Sequence, residues 1–182
     1  MDVSDWPIAR ISKAQTQSLQ KLLHVRIWPV NNSEMQNQAP DEFMQAAIAQ
    51  ARKSRSEGGI PIGSALMRDG KLLAIGHNKR VQENDPVTHA EIDCLRNAGR
   101  IGNFKNTILY STLMPCYLCA GAVVQFGIKK VIVGENRTFP GAADFMRSHG
   151  VEVINLDLSE CVEMMRTFVA ENPQLWNEDI GR

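Results

Sequence analysis

From Pro40 onward the chain alternates stretches of helical and of strand periodicity, and this alternation limits the possible folds more than any other feature. Asp41 to Glu57 carries Phe43, Met44, Ala47, Ile48 and Ala51 at helical spacing, and Gly58-Gly59 ends it. Ser64 to Arg68 and Lys71 to Ile75 flank Asp69-Gly70, the strongest hairpin signal in the chain. Val81 to Thr88 is polar and contains Pro86, which predicts a loop. His89 to Ala98 then reads as a helix closed by Gly99, and Thr107 to Thr112 as a strand. Cys116 to Phe126 is a helix closed by Gly127, followed by a strand over Lys130 to Gly134. Ala142 to His149 is a short helix, Val151 to Leu156 a strand, and Ser159 to Glu171 a long helix with Ser159 as its N-cap. The tail from Asn172 to Arg182 reads as a short helix or ordered coil. Repeated β–α alternation with one hairpin predicts an α/β fold with a mixed sheet and helices on both faces.

No linker divides residues 40–182, so residues 39–182 are expected to form one domain. Residues 1–38 are expected to be an N-terminal extension, a weakly amphipathic stretch diluted by glutamines. With 182 residues, 43% hydrophobic and 22% charged, the chain can bury one core and is not of disordered composition. Twenty basic side chains balance twenty acidic ones. That balance disfavours a polyanion partner, since nucleic-acid binding rests on clustered Lys and Arg. No apolar run approaches the ~18–20 residues of a membrane span. Residues 1–38 hold four basic and three acidic side chains, which suits neither a signal nor a transit peptide. A soluble, cytoplasmic protein is expected. In that setting Cys94, Cys116, Cys119 and Cys161 point to metal or catalytic thiols before disulfides.

Two short motifs carry chemistry. His89-Ala90-Glu91 and Pro115-Cys116-Tyr117-Leu118-Cys119 each fall at a predicted helix start. Cys116 and Cys119, three apart, share a helix face, and a helix N-terminus favours thiolate over thiol. Two thiolates and an imidazole are ligands that tetrahedral Zn²⁺ prefers. A structural zinc is closed by four protein groups, whereas a catalytic one keeps a position for water. Cys94 could in principle be a fourth ligand, but five residues after His89 it lies roughly 140° around the helix. Cys161 falls among core residues, where a buried free thiol is the ordinary reading. Three ligands plus water is therefore the favoured reading. Glu91, two residues from a ligand, can move protons to and from that water, whose pKa zinc lowers to about 7. Nucleophilic water and a protonated leaving amine are the two needs of hydrolytic deamination. A His-x-Glu alone arises by chance roughly a quarter of the time in such a composition, so the weight rests on both motifs occurring together. A thioredoxin-like pair would explain the cysteines but leaves His89 and Glu91 without a role.

The order His-x-Glu then Pro-Cys-x-x-Cys is the signature of zinc nucleobase deaminases. Together with Gly58-Gly59-Ile60-Pro61-Ile62-Gly63, Gly76-His77-Asn78, Val133-Gly134-Glu135-Asn136 and the tail Pro173-Gln174-Leu175-Trp176-Asn177-Glu178-Asp179-Ile180-Gly181, it resembles the fungal, yeast-type cytosine deaminases over about residues 41–182. The resemblance implies a cytidine-deaminase-like three-layer α/β/α sandwich, one zinc per subunit, a homodimer, and conversion of free cytosine to uracil and ammonia. By matching position His89, Cys116 and Cys119 would hold the zinc and Glu91 would shuttle protons. Asn78 would bond the pyrimidine edge and Asp179 would accept from the departing amino group. Ile62, Leu113, Phe139 and Trp176 would wall the pocket, the last two as a lid. Ala90 stands where yeast-type enzymes have Gly, and Met114 where they have Ser, both beside the substrate. His77, adjacent to Asn78, points to the opposite side of a continuing strand and is read as structural. Other readings are a deaminase of guanine, isocytosine or a pterin, a deaminase of adenosine or cytidine in RNA, and a non-catalytic zinc module.

Overall fold

The computed structural model describes residues 40–181; the expected extension over residues 1–38 lies outside the described residues. Helix α1 (Glu42–Ser56) starts at Asp41, whose carboxylate accepts from the Phe43 and Met44 amides at 3.1 and 2.9 Å. Strands β1 (Gly63–Arg68) and β2 (Lys71–His77) form the hairpin. Its two-residue turn places Asp69 and Gly70 at φ 51° and 72°, the positive values a tight antiparallel turn demands. Then follow α2 (Arg80–Glu83), α3 (Ala90–Ala98), β3 (Thr107–Leu113), α4 (Tyr117–Phe126) and β4 (Lys130–Glu135). The chain continues through α5 (Ala143–Ser148), β5 (Glu152–Asn155), α6 (Ser159–Glu171) and α7 (Pro173–Asp179).

The five strands lie in the order β2-β1-β3-β4-β5. The β1–β2 and β1–β3 pairs are antiparallel, β3–β4 and β4–β5 parallel. Strand alternation sorts the side chains into two layers. Leu66, Leu109, Val131 and Val133 face α3, α4 and α5 in one apolar core with Leu95, Val123 and Met146. Ala65 and Tyr110 face the other way, against Met44, Ala47 and Ile48 of α1 and Cys161 of α6. The result is the expected three-layer sandwich around a mixed sheet. Gly76 allows α3 to lie close on β2, since a Cβ there would sit 2.2 Å from the Cys94 amide nitrogen.

Three expectations need correction. The polar segment after Asn78 is not all loop, because Arg80–Glu83 closes one helical turn. Strand β2 runs two residues further, to His77, pairing with Gly63 at the start of β1. Ser159 is the first residue of α6, not its cap; Leu158 takes that position, its amide held by the Gly134 carbonyl at 2.8 Å. Among the described residues no helix is long and apolar enough to cross a membrane.

Candidate active site

The termini of four strands meet at one edge of the sheet: the start of β1 and the ends of β2, β3 and β4. In open α/β sheets ligands bind at such an edge, outside the carboxyl ends of parallel strands. Helices α3 and α4 point their N-termini there. His89 is the N-cap of α3 and Cys116 the N-cap of α4, both with extended backbone and no side-chain capping bond. Neither side chain is occupied with the helix end, so both are free to face the cavity. Cys119 follows one turn into α4 and is fully buried.

The ligand atoms of His89, Cys116 and Cys119 all lie within 4.8 Å of one another. His89 Nδ1 stands 3.4 Å from Cys116 Sγ. A tetrahedral ion with bonds of ~2.0–2.3 Å sets its ligand atoms roughly 3.3–3.8 Å apart, so the donor types fit Zn²⁺ and the His89–Cys116 separation falls in that range. Within the cluster the Cys116 thiol is drawn down to about 4, first by a hydrogen bond from Cys119 and then by His89. Cys119 moves the opposite way, since it holds the shared proton and is buried. Burial disfavours the His89 imidazolium, but the Cys116 thiolate, Glu91 and Asp179 outweigh it and raise His89. Cys94 stays apart, directed at the Ala74 carbonyl of β2. Cys161 is buried in the opposite layer.

Glu91, in the first turn of α3, is 3% exposed. Burial, then the negative charge at Cys116, raises its carboxyl above the ordinary range. Its Oε1 accepts from Ser111 Oγ of β3 at 2.8 Å. Asp179, at the end of α7, lies with Oδ1 3.9 Å from His89 Nε2 and pairs with Arg80. Burial raises its carboxyl, against the pull of His89 and Arg80.

These groups line a cavity of about 310 Å³. His89, Glu91, Cys116 and Asp179 supply its polar wall; Ile62, Leu113, Phe139 and Trp176 supply apolar ones. Phe139 and Trp176 meet edge to face, centroids 6.0 Å apart at 90°. Asn78 is fully buried but does not line this cavity. Its Oδ1 accepts from the Arg80 amide at 3.1 Å, while Nδ2 is buried without a partner. His77 turns away to Glu57, Nε2 to Oε2 2.9 Å.

Two contributors carry no sequence signal of their own. Ser111 and Arg80 are single polar residues outside any motif. Met114, Tyr117, Leu118 and Ile180 complete the cavity lining. Glu135, fully buried, accepts from the Arg137 and Thr138 amides at 2.6 and 2.9 Å and so shapes the loop that carries Phe139.

Residues 37–135 match the cytidine and deoxycytidylate deaminase zinc-binding region. The chain belongs to this deaminase family. The deaminase is 46% identical over 141 residues to the cytosine deaminase of Candida albicans, covering 76% of this chain and 94% of that one. It is 36% identical over 138 residues to a tRNA-specific adenosine deaminase of Streptococcus pyogenes, 69% of this chain and 87% of that one. Among solved structures, a tRNA:A34 deaminase superposes with TM-score 0.62 at 30% identity, over 67% of this chain and 97% of its own. The guanine deaminase of Nitrosomonas europaea superposes with TM-score 0.59 at 21% identity, over 81% and 96%, which speaks for the fold alone.

Proposed function

We propose that this deaminase converts free cytosine and water to uracil and ammonia. The observation that carries the choice of base is the 46% identity to a cytosine deaminase over nearly that protein's whole length. The cavity supports a small substrate: about 310 Å³ lies at the low end of the ~300–1,000 Å³ usual for ligand pockets, and α7 closes one side of it.

His89, Cys116 and Cys119 would hold one zinc per subunit, which when bound supplies the Lewis acidity that makes water nucleophilic at neutral pH. Glu91 takes a proton from the attacking water as oxygen bonds to C4, and delivers it to the ring nitrogen N3. It then carries the second proton to the amino group, which leaves as ammonia as the C4–N bond breaks. A buried carboxyl with a raised proton affinity suits both halves of this transfer. Asn78 stands outside the cavity lining, but its Nδ2 is buried without a partner, and in this reading that donor serves the ring carbonyl. The Arg80 amide already occupies Oδ1, which fixes the side chain with its donor free. Asp179 accepts from the departing amino group. Ile62, Leu113, Phe139 and Trp176 hold the ring plane and exclude bulk water.

Residues 39–182 form the catalytic domain in this reading. A homodimer is supported by the exposed apolar side chains in the first turn of α4, Tyr117 at 70% and Leu118 at 46%. Thiolate ligands and free cysteines suit a reducing cytoplasm. The test is ammonia release from zinc-loaded protein given cytosine, guanine, isocytosine, a pterin, cytidine, adenosine and tRNA. Turnover of cytosine is expected. Turnover of tRNA with none of any free base would overturn the proposal, and no turnover with tightly bound zinc would favour a non-catalytic module.

A further inference from the structure

Arg80 is a nearly buried cation to which the reaction above gives no task. It begins the single turn α2, two residues after Asn78, and its side chain is 10% exposed. Its main-chain amide and every guanidinium nitrogen have a partner. The backbone amide donates to Asn78 Oδ1 at 3.1 Å. Nη1 pairs with Asp179 Oδ1, Nη2 reaches Glu178 Oε1 at 3.4 Å, and Nε donates to the Pro86 carbonyl at 3.2 Å. The main chain of one residue thus sets the Asn78 amide, while its guanidinium grips the Asp179 carboxylate from 99 residues away in sequence.

We propose that Arg80 is a positioning residue for deamination, holding the Asn78 amide with its main chain and the Asp179 carboxylate, with helix α7, through its guanidinium. The inference rests on the proposed function, since it gives those two groups their tasks. With Oδ1 of Asn78 taken, Nδ2 is the donor left for the ring carbonyl. With Oδ1 of Asp179 taken, Oδ2 is the acceptor left for the amino group. A planar, multidentate cation fixes a carboxylate in angle as well as distance, which a lysine ammonium cannot do. The Nε bond to Pro86 keeps the guanidinium from swinging out when Glu178, 70% exposed, exchanges with water.

The test is a double-mutant cycle in zinc-loaded full-length protein, with Arg80→Gln, Asp179→Asn and the pair, and Glu178→Gln as an outer control. The backbone bond to Asn78 survives Arg80→Gln, so the cycle isolates the guanidinium. Arg80→Gln is expected to raise KM for cytosine at least tenfold, with zinc content and melting temperature near wild type. In the Asp179→Asn background the same change should cost less than threefold, and Glu178→Gln should leave KM within twofold. An unchanged KM in Arg80→Gln overturns the proposal. So does a full-sized effect of Arg80→Gln in the Asp179→Asn background, or a loss of activity matched by loss of zinc and stability. If wild type ignores cytosine but turns over another base of the panel, the cytosine reading fails and the same cycle on that base decides Arg80. If no base is turned over, both fall.

Discussion

Removing the Ser111 hydroxyl isolates a single contact to the proposed proton carrier. Ser111 is fully buried on β3, and its Oγ donates to Glu91 Oε1 at 2.8 Å. Burial, and the charge at Cys116, push the Glu91 carboxyl up; the Ser111 bond is one of the contacts pulling it back. A hydrogen bond to a charged group contributes about 1.5–3 kcal/mol, and both partners here are shielded from water that could replace it. Ser111→Ala therefore weakens the carboxylate form, and the proton binds Glu91 more tightly. The cycle begins with Glu91 accepting a proton, so activity is lost as pH falls through its pKa. Raising that pKa moves the acid limb of the kcat/KM profile to higher pH. At a pH below the limb the deficit should reach about ten- to a hundredfold, the energy above at roughly 1.4 kcal/mol per decade. Above the limb the variant should converge on wild type. The assay is cytosine turnover between pH 4.5 and 9, with zinc content measured on the same samples. A deficit of equal size at every pH would refute this account of Ser111, because it would mark a displaced rather than a more basic carboxylate.

Glu91→Gln should retain zinc, measured by elemental analysis, yet lose on the order of 10²–10⁴ in kcat. Cys116→Ala should lose stoichiometric zinc and melt at lower temperature, since metal affinity is coupled to folding. After chelation, Cys116 at about 4 should be alkylated readily at pH 6, whereas Cys94 and Cys161, each pushed up to about 12 by burial, stay inert; zinc should protect Cys116 in a mass-spectrometric time course. Gly76→Ala should destabilise the fold by about 1–3 kcal/mol in urea, because the new methyl meets the α3 backbone at Cys94 and Ala90.

The order of elements was legible because both periodicities are local: α1 and β3 announce themselves in their own residues. Helix α2 was not. None of its four residues joins an apolar core, and its N-cap, Lys79, offers no side-chain capping bond. What holds the turn is tertiary: Arg80 reaches across to Asp179, and Gln82 Nε2 donates to Ser54 Oγ of α1 at 3.3 Å. Ser159 misled for the same reason. It has the chemistry of a cap, but the bond from Leu158 to Gly134 fixes the chain one residue earlier.

The same division runs through the site. His89, Glu91, Cys116 and Cys119 could be named because each motif coincides with a helix start, and two helices on one face of the sheet, opening at the same edge, must bring those starts together. Ser111 and Arg80 could not, because a lone serine in a strand or arginine after a loop becomes informative only when register and docking supply its partner. Ser111 meets Glu91 only because α3 lies close on the sheet, and that closeness traces to Gly76, which lacks the Cβ that would push the helix away. A residue with no side chain thus helps set the distance across which the proposed proton carrier is tuned. Gly76→Ala should on this argument carry part of the Ser111→Ala pH signature as well as its own loss of stability.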